Sequence, residues 1–291
     1  MSKKKLIVAV SGGRTSMYMA IKLREQCSHV YDMVFIFANT GVEHEDTLRF
    51  LNDAERELGL PLVWVETVVH QEKGKGSTHR VVNYETASRL GEPYEAVIAK
   101  YGIPNIAWLV CTRELKLRPI DSYQRFLGWP KQDCERAIGI RIDENRRVSK
   151  SATADKIIYP LIDMFPSDKE DVLDYMAQFY WDLRIPEWLG NCVFCYKKSA
   201  SKLKKAHLDC PEHFEFPNRM EQLYGRSGTY QQTHPNELPS TFFRGKLSTK
   251  NLIERFAIEG STDSPLAHLE DGGCSESCEM YPTEVYAYED R

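Results

Sequence analysis

The feature that most constrains this chain is a run of five apolar residues, Leu6-Ile7-Val8-Ala9-Val10, leading straight into Ser11-Gly12-Gly13-Arg14-Thr15-Ser16 and then a helical pattern. A strand that is apolar at every position, rather than every second one, is covered on both faces. The pattern repeats. Met33–Ala38 and Pro61–Val68 read as further buried strands, and Arg136–Ile142 as a later one. Between them, helical periodicity covers Thr15–Glu25, with Met17, Ala20, Ile21 and Leu23 on its apolar side, and Glu45–Leu58. Two more helices are expected over Tyr84–Tyr101 and Arg113–Phe126. Strands separated by helices imply right-handed crossovers and a parallel sheet. The expected fold is therefore α/β, a doubly wound parallel sheet.

A chain of 291 residues accommodates one large domain or two smaller ones. After Ile162 the pattern changes to a helix over Ser167–Tyr180, a CxxC, a Lys-rich stretch and a polar tail. A division into a nucleotide-binding domain, 1–165, and a helical and irregular cysteine-containing region, 166–291, is expected. Hydrophobic and charged fractions of 42% and 27% exclude disordered and collagen-like classes. The net charge of −4 argues against a broad, non-specific nucleic-acid surface. A local basic patch remains, in Lys197, Lys198, Lys202, Lys204 and Lys205, and could grip a polynucleotide or an extra phosphate; a solvated helix face is the plain alternative. Tyr196, Phe214 and Phe216 nearby could stack on a base, but core packing is the preferred reading for them. No apolar run reaches the roughly 18 residues that cross a bilayer, and the five after MSKKK are too few for a signal-peptide core. A cytoplasmic protein without a membrane partner is expected.

Glycines allow a sharp turn with backbone N–H groups close to an anion, and a helix N-terminus adds orphan donors and partial positive charge. Ser11, Gly12, Gly13, Arg14, Thr15 and Ser16 are thus read as a phosphate loop, though neither a Walker A nor a GxGxxG sequence is present. In an open parallel sheet, ligands sit beyond the carboxyl ends of the strands. Ser11, Asn39 and Arg141 each fall at such an end. Arg141 could hold phosphate or sulfate oxygens through its planar fork, or pair with Asp143 or Glu144. Glu43 is read as orienting a loop or holding a magnesium-bound water.

This strand-SGGxxS-helix arrangement resembles the pyrophosphate loop of the adenine-nucleotide α-hydrolase superfamily, which includes phosphoadenosine phosphosulfate reductases and tRNA thiolation enzymes. Asn39-Thr40-Gly41-Val42-Glu43 with Asp46-Thr47, the segment Cys111–Pro119, and Gly139–Arg147 are similar, in order, to three further segments of the phosphosulfate reductases. The resemblance spans roughly residues 5–195. It implies nucleotide contacts at the loop and at Ala38, Asn39 and Gly139, with ATP, accompanied by magnesium, or phosphoadenosine phosphosulfate as the nucleotide.

Eight cysteines are present. In a cytosolic enzyme, close pairs point to metal or redox chemistry more than to disulfides. Taken alone, Cys192-Val193-Phe194-Cys195 could be a redox pair, half a zinc site or part of an iron–sulfur cluster. Reductases of the resembling group with a four-iron cluster carry Cys-Cys, then about eighty residues, then CxxC; here Cys192 stands 81 residues after Cys111. The resemblance therefore implies a 4Fe-4S cluster, with zinc as the alternative, on Cys111, Cys192 and Cys195. Thr112 stands where the second cysteine would be, so Cys210 is the candidate fourth ligand unless one iron is left open. Cys274 and Cys278 are candidate sulfur-relaying catalytic residues beside Arg141, although the group's terminal motif is absent.

The function implied is ATP-dependent activation and sulfur transfer onto a nucleic acid or nucleotide, with a sulfur donor protein. The alternatives are reduction of phosphoadenosine phosphosulfate or adenosine phosphosulfate to sulfite by a thiol reductant, and a nucleotide sensor without turnover.

Overall fold

The computed structural model of the chain describes residues 3–258, apart from 73 and 237. In chain order the strands are β1 (Lys4–Val10), β2 (Tyr31–Ala38), β3 (Leu62–Val68), β4 (Thr78–Val82), β5 (Cys134–Ala137) and β6 (Ile157–Ile158). Among the described residues they form one six-stranded sheet in the order β4-β3-β2-β1-β5-β6. All neighbours are parallel except β4, which runs antiparallel to β3 at the edge. The chain builds outward from β1 on one side, then crosses back to add β5 and β6 on the other. Strand order therefore reverses between β1 and β5.

The helices are α1 (Arg14–Cys27), α2 (Glu45–Leu58), α3 (Glu92–Tyr101), α4 (Arg118–Phe126), α5 (Pro160–Asp163), α6 (Lys169–Met176), α7 (Ala200–Asp209), α8 (Glu215–Tyr224), α9 (Gly228–Thr233) and α10 (Thr249–Ile258). Side chains alternate faces along a strand, and here both faces are covered. Leu6, Val8, Val10, Phe35 and Phe37 join a core shared with Met17 and Leu23 of α1 and Phe50 of α2. Ile7, Ile36, Ala38 and Val65 join a second core with Ile120 of α4. That two-sided burial is why these strands lack a polar face.

Several boundaries differ from the sequence expectation, each for a local reason. The helix expected from Tyr84 starts at Glu92, because Gly91 sits at φ +84° and Pro93 opens the first turn. The β-branched stretch before it, Thr78–Val82, becomes the edge strand. The helix expected over Arg113–Phe126 is a π-helix over Thr112–Leu117 followed by α4. Pro119 has no N–H for a regular i→i−4 bond, which suits the widened turn before it. β5 ends at Ala137, and the chain turns into a 3-10 helix over Ile142–Arg147. The helix expected over Ser167–Tyr180 is the shorter α6, capped by Asp168.

The large core runs through residue 165 without a break, taking in Val172, Met176, Trp181, Phe194 and Phe256. Trp181 tilts against Phe50, ring centroids 5.7 Å apart, and Tyr175 meets Tyr18 edge-on at 5.0 Å. Among the described residues no helix is long and apolar enough to cross a membrane.

Candidate functional site

The loop after β1 is held by its own serines. Ser16 Oγ donates to the Gly13 carbonyl at 3.0 Å and accepts the Ser11 amide at 3.0 Å; the two serine hydroxyls also lie 3.0 Å apart. Gly12 has φ +86°, and a Cβ there would stand 2.5 Å from Thr47 Cγ2. The glycine is therefore required by both backbone conformation and contact with α2. Gly13 caps α1 without a side-chain bond, and no acidic residue occupies the first turn. The first N–H groups of a helix have no intrahelical acceptor. The start of α1 is thus left electropositive, at the point where strand order reverses.

Gly139 explains how β5 approaches this loop: a Cβ there would lie 3.1 Å from Ser16 Cα and 3.3 Å from Ser16 N. Arg141 follows, only 3% exposed. Its Nη1 donates to Thr15 Oγ1 at 2.9 Å, while Nε and Nη2 clasp the Asp143 carboxylate at 2.9 and 3.0 Å. The guanidinium holds the Asp143 carboxyl below the usual range. Of the two roles open to Arg141, the structure displays the ion pair, with one nitrogen turned to Thr15 of the Ser11–Ser16 loop. Arg14 points elsewhere. Its Nε donates to both oxygens of Asp182 and its Nη2 to the Leu183 carbonyl, tying the loop to the later part of the chain.

Ala38 is the buried last residue of β2, and Asn39 is fully buried just beyond it. Asn39 Nδ2 donates to Glu66 Oε1 at 2.6 Å and to the Ser88 carbonyl at 2.9 Å. Glu66, itself 0% exposed, also receives the Ser88 amide and hydroxyl and the Arg80 guanidinium. Asn39 belongs to a satisfied buried network that orders the segment before α3. Glu43 orients the loop, as one of its two expected roles requires. It accepts the Thr40 and Val42 amides and, at 2.6 Å, the Thr40 hydroxyl.

Glu43 also forms an isolated antiparallel bridge with Cys192, which brings the CxxC to the carboxyl end of β2. Cys192 Sγ lies 3.5 Å from Thr40 Oγ1, and Cys111 Sγ 3.2 Å from the Tyr196 hydroxyl. Cys111, Cys192, Tyr196 and Cys195 all act on the charge of the buried Tyr94 phenol, whose pKa lies well above its ordinary value, chiefly through burial. Phe194, between the two cysteines of the CxxC, stacks on Tyr94 and Phe216. Cys210 keeps other company, at the end of α7 beside Asp209 and Glu212, with burial pushing its thiol up. Cys274 and Cys278 lie outside the described residues.

The thiols of Cys111, Cys192 and Cys195 are soft donors of the kind iron–sulfur clusters and zinc take. Yet among the described residues no group of three or more His, Cys, Asp or Glu is arranged to hold a metal ion. The donor chemistry fits, and the chemistry proposed for the chain does not run through a metal.

The basic stretch is largely spoken for. Lys198 is 2% exposed and donates to the Trp188 and Val193 carbonyls, Lys202 pairs with Glu187, and Lys205 lies over the Trp188 ring. Tyr196, Phe214 and Phe216 are buried, as expected. Sequence alone assigns no role to Thr40, Thr47, Glu66 or Tyr94. Thr47 Oγ1 is buried with no hydrogen-bond partner, on the residue that touches Gly12. Its place in the resembling segment was the only sequence signal for it.

No family model matches the chain. The chain is similar to the uncharacterized nin region protein ORF290 of Escherichia phage lambda, with 28% identity over 94% of each chain. It is also similar to the uncharacterized protein MJ0066 of Methanocaldococcus jannaschii, with 27% identity over 52% of this chain and 28% of that protein.

Proposed function

We propose that this protein is a phosphosulfate-reductase-like enzyme of the adenine-nucleotide α-hydrolase superfamily, on a doubly wound α/β fold. On this reading it uses ATP to activate an acceptor for sulfur transfer. The observation that carries the reading is the start of α1: a glycine loop, an uncapped first turn without acidic residues, and an unpartnered buried hydroxyl on Thr47 beside it. Backbone amides there would take the phosphates, since the hydroxyls of Ser16 and Thr15 are already engaged in holding the loop and Arg141. The neighbouring cysteines favour sulfur as the element transferred. An oxygen of a nucleic acid or nucleotide acceptor would attack the α-phosphorus of ATP, pyrophosphate would leave, and a donor's sulfur would then displace AMP with that oxygen.

One observation favours a second reading, a nucleotide sensor without turnover. The Arg141 fork is already filled by Asp143. Calorimetry with ATP and phosphoadenosine phosphosulfate, followed by assays for pyrophosphate and sulfite, tests both. Binding with pyrophosphate release in the presence of an acceptor supports the proposal. Binding with neither product favours the sensor, sulfite release favours the reductase, and absence of binding to either nucleotide removes all three.

A further inference from the structure

The contact between Cys192 and the β2–α2 loop has a definite direction. Thr40 is fully buried and Glu43 is 8% exposed. A threonine hydroxyl carries one proton. Glu43 Oε1, 2.6 Å away, takes it in a short charge-assisted bond, and both Glu43 oxygens also receive the Thr40 amide, at 3.1 and 3.3 Å. Toward Cys192 Sγ, at 3.5 Å, the Thr40 oxygen therefore presents lone pairs, and the thiol is the donor. The same six-residue loop is bonded to Cys192 through the Glu43–Cys192 bridge. Its far end enters α2, whose Thr47 stands against Gly12 of the phosphate loop. One short segment thus touches the phosphate loop at one end and the CxxC at the other.

We propose that Thr40 is a positioning residue for Cys192, holding its sulfur toward the β2–α2 loop, and that the loop transmits nucleotide occupancy to that sulfur. The second half of the proposal rests on the nucleotide reading above; the first half does not.

The test is labelling of the full chain with iodoacetamide, with the rate at each cysteine read by peptide mass spectrometry. Thr40→Val keeps the shape and removes the hydroxyl, whereas Thr40→Ser keeps the hydroxyl. We expect Thr40→Val to raise the Cys192 rate at least fivefold with Cys195 changed less than twofold, and Thr40→Ser to stay within twofold of the parent. Should Thr40→Val fail to fold, Thr40→Ala against Thr40→Ser gives the same comparison. Equal rates in all variants, or equal changes with and without the hydroxyl, would overturn the positioning role. Saturating ATP, with its binding measured in parallel, should alter the Cys192 rate at least threefold in the parent and leave Thr40→Val unmoved. ATP that binds without changing the rate overturns the transmission. ATP that fails to bind overturns the nucleotide reading and the transmission with it, while the Thr40 variants still decide the positioning role.

Discussion

Helices α1 and α2 begin at the same edge of the sheet, after adjacent parallel strands, and each is 14 residues long. Their first turns are opposites. α2 is closed: the His44 ring accepts the Asp46 amide at 3.1 Å, and Glu45 and Asp46 place negative charge against the helix dipole. α1 has a glycine cap with no side-chain bond and no acid in its first turn, and the guanidiniums of Arg14 and Arg141 beside it are each paired with a carboxylate, Asp182 and Asp143. Two neighbouring helices of equal length differ in whether their end is satisfied internally. The one left open stands at the strand-order reversal, where open α/β sheets bind ligands.

Breaking the glycine turn should have the largest effect. Gly12→Val forces a side chain into a φ of +86° and into Thr47. It should abolish ATP binding by calorimetry and also lower the melting temperature, since Gly12 packs against Thr47. Retained affinity in a folded variant would remove the contrast between the two helix ends.

Next comes Arg141→Lys, which keeps the charge but loses the fork over Asp143 and Thr15. If the arginine is catalytic, turnover should fall by roughly 10- to 1000-fold with a much smaller change in affinity. A lower melting temperature at unchanged specific activity would assign it to structure alone.

Thr47→Val sharpens the comparison with two opposite signs. Removing a buried unsatisfied hydroxyl should stabilise the ligand-free protein by about 1 kcal/mol, judged by denaturant melts. Nucleotide affinity should fall about tenfold if that hydroxyl meets the ligand. Destabilisation would show that the hydroxyl is not a spare donor.

The smallest effect is expected at the closed end. His44→Ala should cost about 0.5–1 kcal/mol of stability, as a lost cap does, with ATP affinity unchanged. An affinity loss there would mean that α2 also faces the nucleotide.

The strand and helix pattern through Val68 was legible because two-sided burial writes continuous apolar runs and α2 writes a clean amphipathic period. Glu66 was hidden for the same reason: within PLVWVETV it reads as one polar residue in a strand, and only its partners Asn39, Ser88 and Arg80 reveal a buried carboxylate. The pairing of Cys111 with Tyr196 joins residues far apart in the chain, and no local pattern encodes it. Lys198 misled in the opposite way, since a lysine in a basic run carries no sign that its ammonium will be buried against two carbonyls.

The aromatic contact between Phe50 and Trp181 bears on how the chain matures during synthesis. The first three strands and both long helices leave the ribosome well before Trp181, Tyr175 and Asp182, which cover Phe50, meet Tyr18 and hold Arg14. At about 5–20 residues per second, the gap between Phe50 and Trp181 keeps that apolar face bare for several seconds or more. During that interval the nascent chain presents the kind of surface that chaperones recognise, and the Ser11–Ser16 loop stands without the carboxylate that anchors its arginine.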